Sequence, residues 1–240
     1  MALTVRIQKY LSEKGITSRR NAEAWLRAGL ISVNGQVVTE LGTKIDPDKD
    51  VVTVAPSALQ KQYHYFLFNK PKGIVTVNPH PGEKAIGDIV KLPEGVSPVG
   101  RLDKDSTGLI LLTDDGVAAR RIMDPQFDHE KEYEVTFCNA VTDEALQKIS
   151  EGMMLFGERT RPIQVARLTR SKVRMILTEG KNRQIRRLGE KVGFQVKEIT
   201  RVRILDLTLK GITSGQLKEL SRQEAGLFLK LIELNRAEDH

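Results

Sequence analysis

Gly100-Arg101-Leu102-Asp103-Lys104-Asp105-Ser106-Thr107-Gly108 runs directly into Leu109-Ile110-Leu111-Leu112-Thr113. A polar loop bounded by glycines thus enters an apolar run that is too short for a good helix and reads as a strand. Asp103 follows Arg101 by two positions, so a carboxylate sits beside a cation at the mouth of that strand. Such a group is poised as a nucleophile or a base. A turn in which Asp103 and Ser106 satisfy their own backbone accounts for the same residues. The rest of the chain has to decide between these readings.

With 240 residues, 40% of them hydrophobic, the chain can bury a sizeable core as one large domain or two smaller ones. No apolar run approaches the roughly 20 residues that span a bilayer. Met1 to Tyr10 already carries Arg6 and Lys9, which is unlike a signal peptide, so a cytoplasmic protein is expected. The single cysteine, Cys138, excludes an internal disulfide framework and a multi-cysteine metal site. His64, His80, His129 and His240 have no partners at metal-ligand spacing, and no metal or cofactor is expected. The net charge is +7, and it is concentrated. Residues 1–30 hold six Lys/Arg against two Glu, and residues 181–203 hold eight against two. A solvated surface explains +7 alone, but two separated basic clusters favour a long polyanion, that is, nucleic acid.

The spacing of Val5, Ile7 and Leu11 predicts a first helix ending at Lys14-Gly15. Ser18 caps a second, Arg19 to Ala28, and Asn34-Gly35 joins two short strands in a hairpin. Residues 1–55 form this unit and 56–62 a linker, with the remainder, 63–240, a second domain. Strand-like runs there are Tyr63–Phe68, Ile74–Val77, Leu109–Thr113, Tyr133–Phe137, Ile163–Leu168, Val173–Leu177 and Val196–Leu209. Helices are expected at Val117–Met123, Asp143–Ser150, Asn182–Val192 and Gln223–Leu234. Strands often follow one another without a helix between them. The expected class is therefore α+β, with a mixed, largely antiparallel sheet flanked by helices.

Three site types place acids at the spacing seen around Asp103. Asp103, Asp105, Thr107, Gly108 and Asp114 match several positions of a calcium loop, but the strand-like Leu109–Thr113 leaves no room for its exiting helix. Phosphoaspartyl hydrolases need a buried strand directly before the first Asp, where this chain has Pro98-Val99-Gly100-Arg101. The third fits throughout: Gly100-Arg101-Leu102-Asp103 with Ser106-Thr107-Gly108 resembles the signature loop of RNA pseudouridine synthases in the branch typified by RsuA. Asn69-Lys70-Pro71-Lys72-Gly73, Lys131-Glu132-Tyr133-Glu134-Val135 and Gly180-Lys181-Asn182-Arg183-Gln184-Ile185-Arg186-Arg187 resemble three further motifs of that family, in order. Residues 4–54 resemble the RNA-binding module named after ribosomal protein S-four, through Lys9-Tyr10-Leu11-Ser12, Ser18-Arg19-Arg20 and Gly29 to Gly35.

The resemblance implies isomerisation of uridine to pseudouridine in ribosomal RNA, of the large-subunit type, with transfer RNA as an alternative substrate. The base must first be flipped from its stack. It implies Asp103 as the catalytic carboxylate, kept ionised by Arg186. It also implies Tyr133 stacked on the uracil and able to take a proton, and Ile185 packed beneath it. Arg101 would fill the gap left by the base or meet phosphate, and a salt bridge to Asp105 is its plainer reading. Lys181, Arg183 and Arg187 would bind phosphates, as would Arg6, Lys9, Arg19 and Arg20 in the first module. Read singly, Tyr133 and Ile185 are equally core residues and Arg186 a phosphate contact. A monomer is the expected state. The competing function is a non-catalytic RNA-binding or ribosome-assembly factor.

Overall fold

The computed structural model describes residues 4–233. It opens with strand β1 (Val5–Arg6) and helix α1 (Ile7–Glu13). Ser18 accepts a hydrogen bond from the Asn21 N–H and caps α2 (Arg19–Arg27), as expected. Asn34 and Gly35 both take positive φ and join β2 (Ile31–Val33) to β3 (Gln36–Val37). β4 (Lys44–Ile45) pairs with β1, and β5 (Val52–Val54) pairs with β2. Ile7, Leu11, Trp25, Leu26 and Ile31 close a small core. Val5, whose spacing suggested helix, is a strand residue because it pairs with Ile45. Within the expected linker, Pro56 starts a short helix, α3 (Pro56–Leu59), and Ala58 is buried in the same core.

The larger part begins with β6 (Tyr65–Lys70), β7 (Ser97–Val99), β8 (Thr107–Thr113) and α4 (Gly116–Met123). β9 (Lys131–Phe137) and α5 (Asp143–Ser150) precede a small hairpin of β10 (Met154–Leu155) and β11 (Glu158–Arg159). Next come β12 (Gln164–Arg167), β13 (Lys172–Leu177), α6 (Gln184–Lys191) and β14 (Val196–Ile204). β15 (Leu207–Thr208), β16 (Leu217–Glu219) and α7 (Arg222–Leu231) follow. Residue 234, the expected end of the last helix, lies outside the described residues, as does His240.

The main sheet runs β12-β13-β9-β14-β8-β6-β16, with β7 on β8 and β15 on β14. β14 and β8 are parallel, and the other neighbours are antiparallel. This is the mixed α+β sheet expected from the sequence. The central strands are apolar without alternation because both faces are covered. Phe66, Phe68, Ile110 and Leu112 face a core closed by α5 and α6, whereas Tyr65, Leu67, Leu109 and Leu111 face one closed by α4 and α7. β9 alternates instead, burying Tyr133, Val135 and Phe137 while Glu132, Glu134 and Thr136 stay half-buried.

Two expected strands change. Ile74–Val77 makes only a single bridge, Val75 to Ala85. The Thr76 hydroxyl is drawn instead to the main chain of Leu102. Val196–Leu209 is broken at Leu205, whose φ of 50° turns the chain back so that β15 pairs with β14.

β14 approaches β8 closest at Gly108. There Thr200 pairs with Thr107 and Arg201 with Gly108. A Cβ on Gly108 would stand 2.3 Å from the Arg201 carbonyl oxygen, and the residue's φ of 105° disfavours any side chain. Gly108→Ala is therefore expected to destabilise the chain by about 3 kcal/mol or more, measured as the change in urea unfolding free energy.

Candidate active site

The loop 100–106 lies between β7 and β8, and three buried side chains grip its main chain. The Thr76 hydroxyl donates to the Leu102 carbonyl at 2.7 Å and accepts from the Leu102 N–H at 3.1 Å. Lys70, fully buried at the end of β6, donates to the carbonyls of Pro71 at 2.9 Å, Ile74 at 2.6 Å and Lys104 at 3.4 Å. Arg186, 8% exposed, donates to the carbonyls of Val196 at 3.1 Å and Asp105 at 3.4 Å. The loop closes on itself where the Ser106 N–H donates to the Asp103 carbonyl at 3.0 Å. Asp103 is thus presented from a main chain that is fixed on both sides.

Asp103 lines a cleft with Arg101, Tyr133, Lys181, Arg183 and Ile185, and Leu177 and Ile199 add apolar wall. Tyr133 reaches it from β9 and is 9% exposed. The far wall is the start of α6. Buried Gln184 accepts from the Lys181 N–H at 3.0 Å and donates to Glu179 at 2.6 Å, which orders the segment before the helix. Arg183 caps α6 in the left-handed conformation, with φ of 50°, and its guanidinium stands 3.7 Å from the Asp103 carboxylate. The amino-terminal end of α6, with its partial positive charge, borders the same cleft.

The expected partnership of Asp103 with Arg186 is not the one formed. Among the described residues, Arg183 is the cation within ion-pair distance of Asp103, while the two terminal nitrogens of Arg186 donate to main-chain carbonyls behind the loop and its buried Nε has no hydrogen-bond partner. Arg101 is exposed on the cleft rim, and no ion pair joins it to Asp105 among the described residues. Arg187 lies outside the cleft, against Phe156. In the amino-terminal part Arg6, Lys9 and Arg19 share a groove with Lys44, whereas Arg20 is exposed on α2 beyond it. Asp114, position twelve of the rejected calcium loop, is separated from Asp103 by all of β8 and pairs with Lys61 at 2.9 Å. No group of three potential metal ligands occurs among the described residues.

Lys70, Thr76 and Gln184 are the residues sequence reasoning gave no role. Lys70 lay inside a quoted motif, but lysine is ordinarily read as a solvated cation. Burial lowers its pKa to about 8, with Asp103 and Asp105 acting in the opposite direction.

The family model described as RNA pseudouridylate synthase matches residues 64–191, and that of the S4 domain matches residues 5–52. The chain is 38% identical to the dual-specificity RNA pseudouridine synthase RluF of Escherichia coli K12 over 239 residues, covering 98% of this chain and 82% of that protein. It is 34% identical to the ribosomal large subunit pseudouridine synthase B of Bacillus subtilis over 227 residues, covering 91% and 93% respectively. A crystal structure of a pseudouridylate synthase superposes with a TM-score of 0.69 at 29% identity, covering 95% of this chain and 99% of that one. Among the described residues no helix is long and apolar enough to cross a membrane.

Lys70→Met leaves the Pro71 and Ile74 carbonyls without their Lys70 donor and the Lys104 carbonyl with the Gly73 N–H alone. It is expected to cost about 2 kcal/mol of stability at neutral pH and at least about tenfold in turnover. The folded lysine releases its proton near pH 8 and the unfolded one near 10.5. Unfolding therefore takes up a proton in that window, and stability rises with pH there. The stability of the parent relative to the variant should increase between those two values in denaturant titrations.

Proposed function

The chain belongs to the RNA pseudouridine synthase family and isomerises uridine to pseudouridine, and we propose that its substrate is ribosomal RNA of the large subunit, with Asp103 as the catalytic carboxylate. The observation that carries the reading is the convergence of Asp103 and Tyr133 on one cleft rimmed by Arg101, Lys181 and Arg183. The relatives support the choice of RNA. One is a large-subunit enzyme, and the other is described as dual-specificity.

The chemistry breaks the bond from ribose to the uracil nitrogen, turns the base and rejoins it through a ring carbon. The hydrogen on that carbon leaves as a proton and the freed ring nitrogen takes one up, so atoms and electrons balance with no oxidant or energy source. A base enters the cleft only after unstacking, which costs a few kcal/mol. Once inside, it lies between the Tyr133 ring and the Ile185 and Leu177 side chains. Asp103 then acts on the sugar or the ring as nucleophile or base.

With the nucleotide in place, water is displaced and the attraction between Asp103 and Arg183 strengthens. In this reading Arg183 is the counter-charge of the reacting carboxylate. Arg186 is a positioning residue that fixes the loop through Asp105. Arg101 and Lys181 hold the flanking phosphates, and the groove of Arg6, Lys9 and Arg19 holds RNA further away. The proposed organisation is an RNA-binding domain over residues 1–55 and a catalytic domain over residues 63–240, working as a cytoplasmic monomer.

Asp103→Asn removes the charge while keeping shape and hydrogen-bonding capacity. Ribosomal RNA made in cells lacking this protein, and carrying tritium on the carbon that rejoins the sugar, should lose label to water with the parent chain. It should lose none above background with Asp103→Asn, and chelators should leave the parent rate unchanged. Equal release by parent and variant would remove Asp103 from the chemistry.

A further inference from the structure

The hairpin of β10 and β11 turns on Phe156 and Gly157, with φ of 54° and 81°. The hairpin of β2 and β3 turns on Asn34 and Gly35, with φ of 51° and 80°. At matching backbone geometry the chain uses Asn in one turn and Phe in the other. Asn is well suited to the left-handed conformation, and a bulky aromatic is strained there. Nor does burial compensate for the aromatic, because Phe156 remains 60% exposed.

The surroundings of Phe156 are cationic. The Arg187 guanidinium lies 4.2 Å from the ring centroid. Phe156, Arg187, Met154 and Lys191 line a groove of about 470 Å³, with Glu190 the acid among them. That volume is within the range of sites that take a small planar ligand. The hairpin is also tied to the catalytic cleft: Lys181, on the cleft rim, donates to Glu158 of β11 at 2.8 Å. An exposed aromatic ring flanked by cations is the arrangement by which proteins hold single-stranded nucleic acid, stacking for the base and charge for the phosphate.

We propose that this groove is a second RNA contact, in which Phe156 stacks on an unpaired base next to the modified site while Arg187 and Lys191 meet the backbone phosphates. The proposal rests on RNA as the substrate and adds a site on the opposite flank of α6 from Asp103. Arg187 faces this groove because it is displaced by about 100° around the helix from buried Arg186.

The test uses the full chain, a labelled oligouridine and a labelled blunt RNA duplex, with affinities read by fluorescence anisotropy. Phe156→Asn keeps the turn and relieves its strain, so its melting temperature should not fall below that of the parent. It should bind oligouridine roughly 5- to 100-fold more weakly, with the salt dependence unchanged, while duplex binding is unaffected. Phe156→Trp should restore the affinity. Lys191→Ala should instead lower the slope of log affinity against log salt by about one. Unchanged oligouridine binding by Phe156→Asn, or an equal loss on oligouridine and duplex, overturns the stacking site. A parent chain that binds neither probe overturns RNA as the substrate, and this site with it.

Discussion

The site depends on the capture of four consecutive carbonyls. Those of Leu102, Asp103, Lys104 and Asp105 accept, respectively, from the Thr76 hydroxyl, the Ser106 N–H, the Gly73 N–H together with Lys70, and Arg186. A loop of seven polar and glycine-flanked residues has little intrinsic preference for one conformation, and fixing each residue costs roughly 1–2 kcal/mol of entropy. Here donors that are themselves buried, apart from the Gly73 N–H, hold it. The two cations among them cannot leave without exposing unpaired carbonyls in a dry interior. The carboxylate is therefore aimed by groups that never touch it, and its position is inherited from β6, β8 and α6.

That arrangement explains which parts of the protein were legible in sequence. Local signals sufficed for the Asn34-Gly35 hairpin, the Ser18 cap, the helices at Gly116–Met123 and Asp143–Ser150, and the strands whose apolar residues run on or alternate. Tyr133 and Asp103 were legible as members of ordered motifs, since either alone is commonplace. The partner of Asp103 was not. Arg183, Arg186 and Arg187 stand within five residues and look alike as letters. The left-handed turn at Arg183 and the helical rotation after it send one to the cleft, one behind the loop and one to the opposite groove. Lys70 was hidden for a related reason: nothing local distinguishes a lysine that will be wrapped by carbonyls from one that stays in water. Ile74–Val77 failed as a strand because its hydroxyl has a long-range partner 26 residues away.

The distribution of charge follows the same division. The surface pair of Arg183 with Asp103 is partly solvated, so as it stands it contributes little to stability. Its value lies in what covers it. In the proposed reading a nucleotide bound there excludes water and strengthens that attraction, whereas a pair already sealed in the core would have its attraction offset by desolvation in advance. Leaving the Asp103 carboxylate, the proposed reacting group, half-buried while its supports are buried separates two requirements that conflict in a single ion pair.

The amino-terminal module meets this framework through contacts of α4 with Ser12 and Ser18. The Arg120 guanidinium of α4 donates to the Ser12 carbonyl at 3.1 Å, at the end of α1, and a Cβ on Gly116 would stand 2.4 Å from that of Ser18. One contact falls on the last turn of α1 and the other on the cap of α2, the two helices that carry the basic residues. In the proposed reading the groove of Arg6, Lys9 and Arg19 and the cleft of Asp103 are two RNA-binding surfaces joined through this contact. The gain from engaging both is large only for an RNA whose own fold matches the span. Shape is what a protein can read on structured RNA when base edges are inaccessible. In the proposed reading an RNA is therefore selected by the spacing of the two surfaces as well as by the base it places in the cleft.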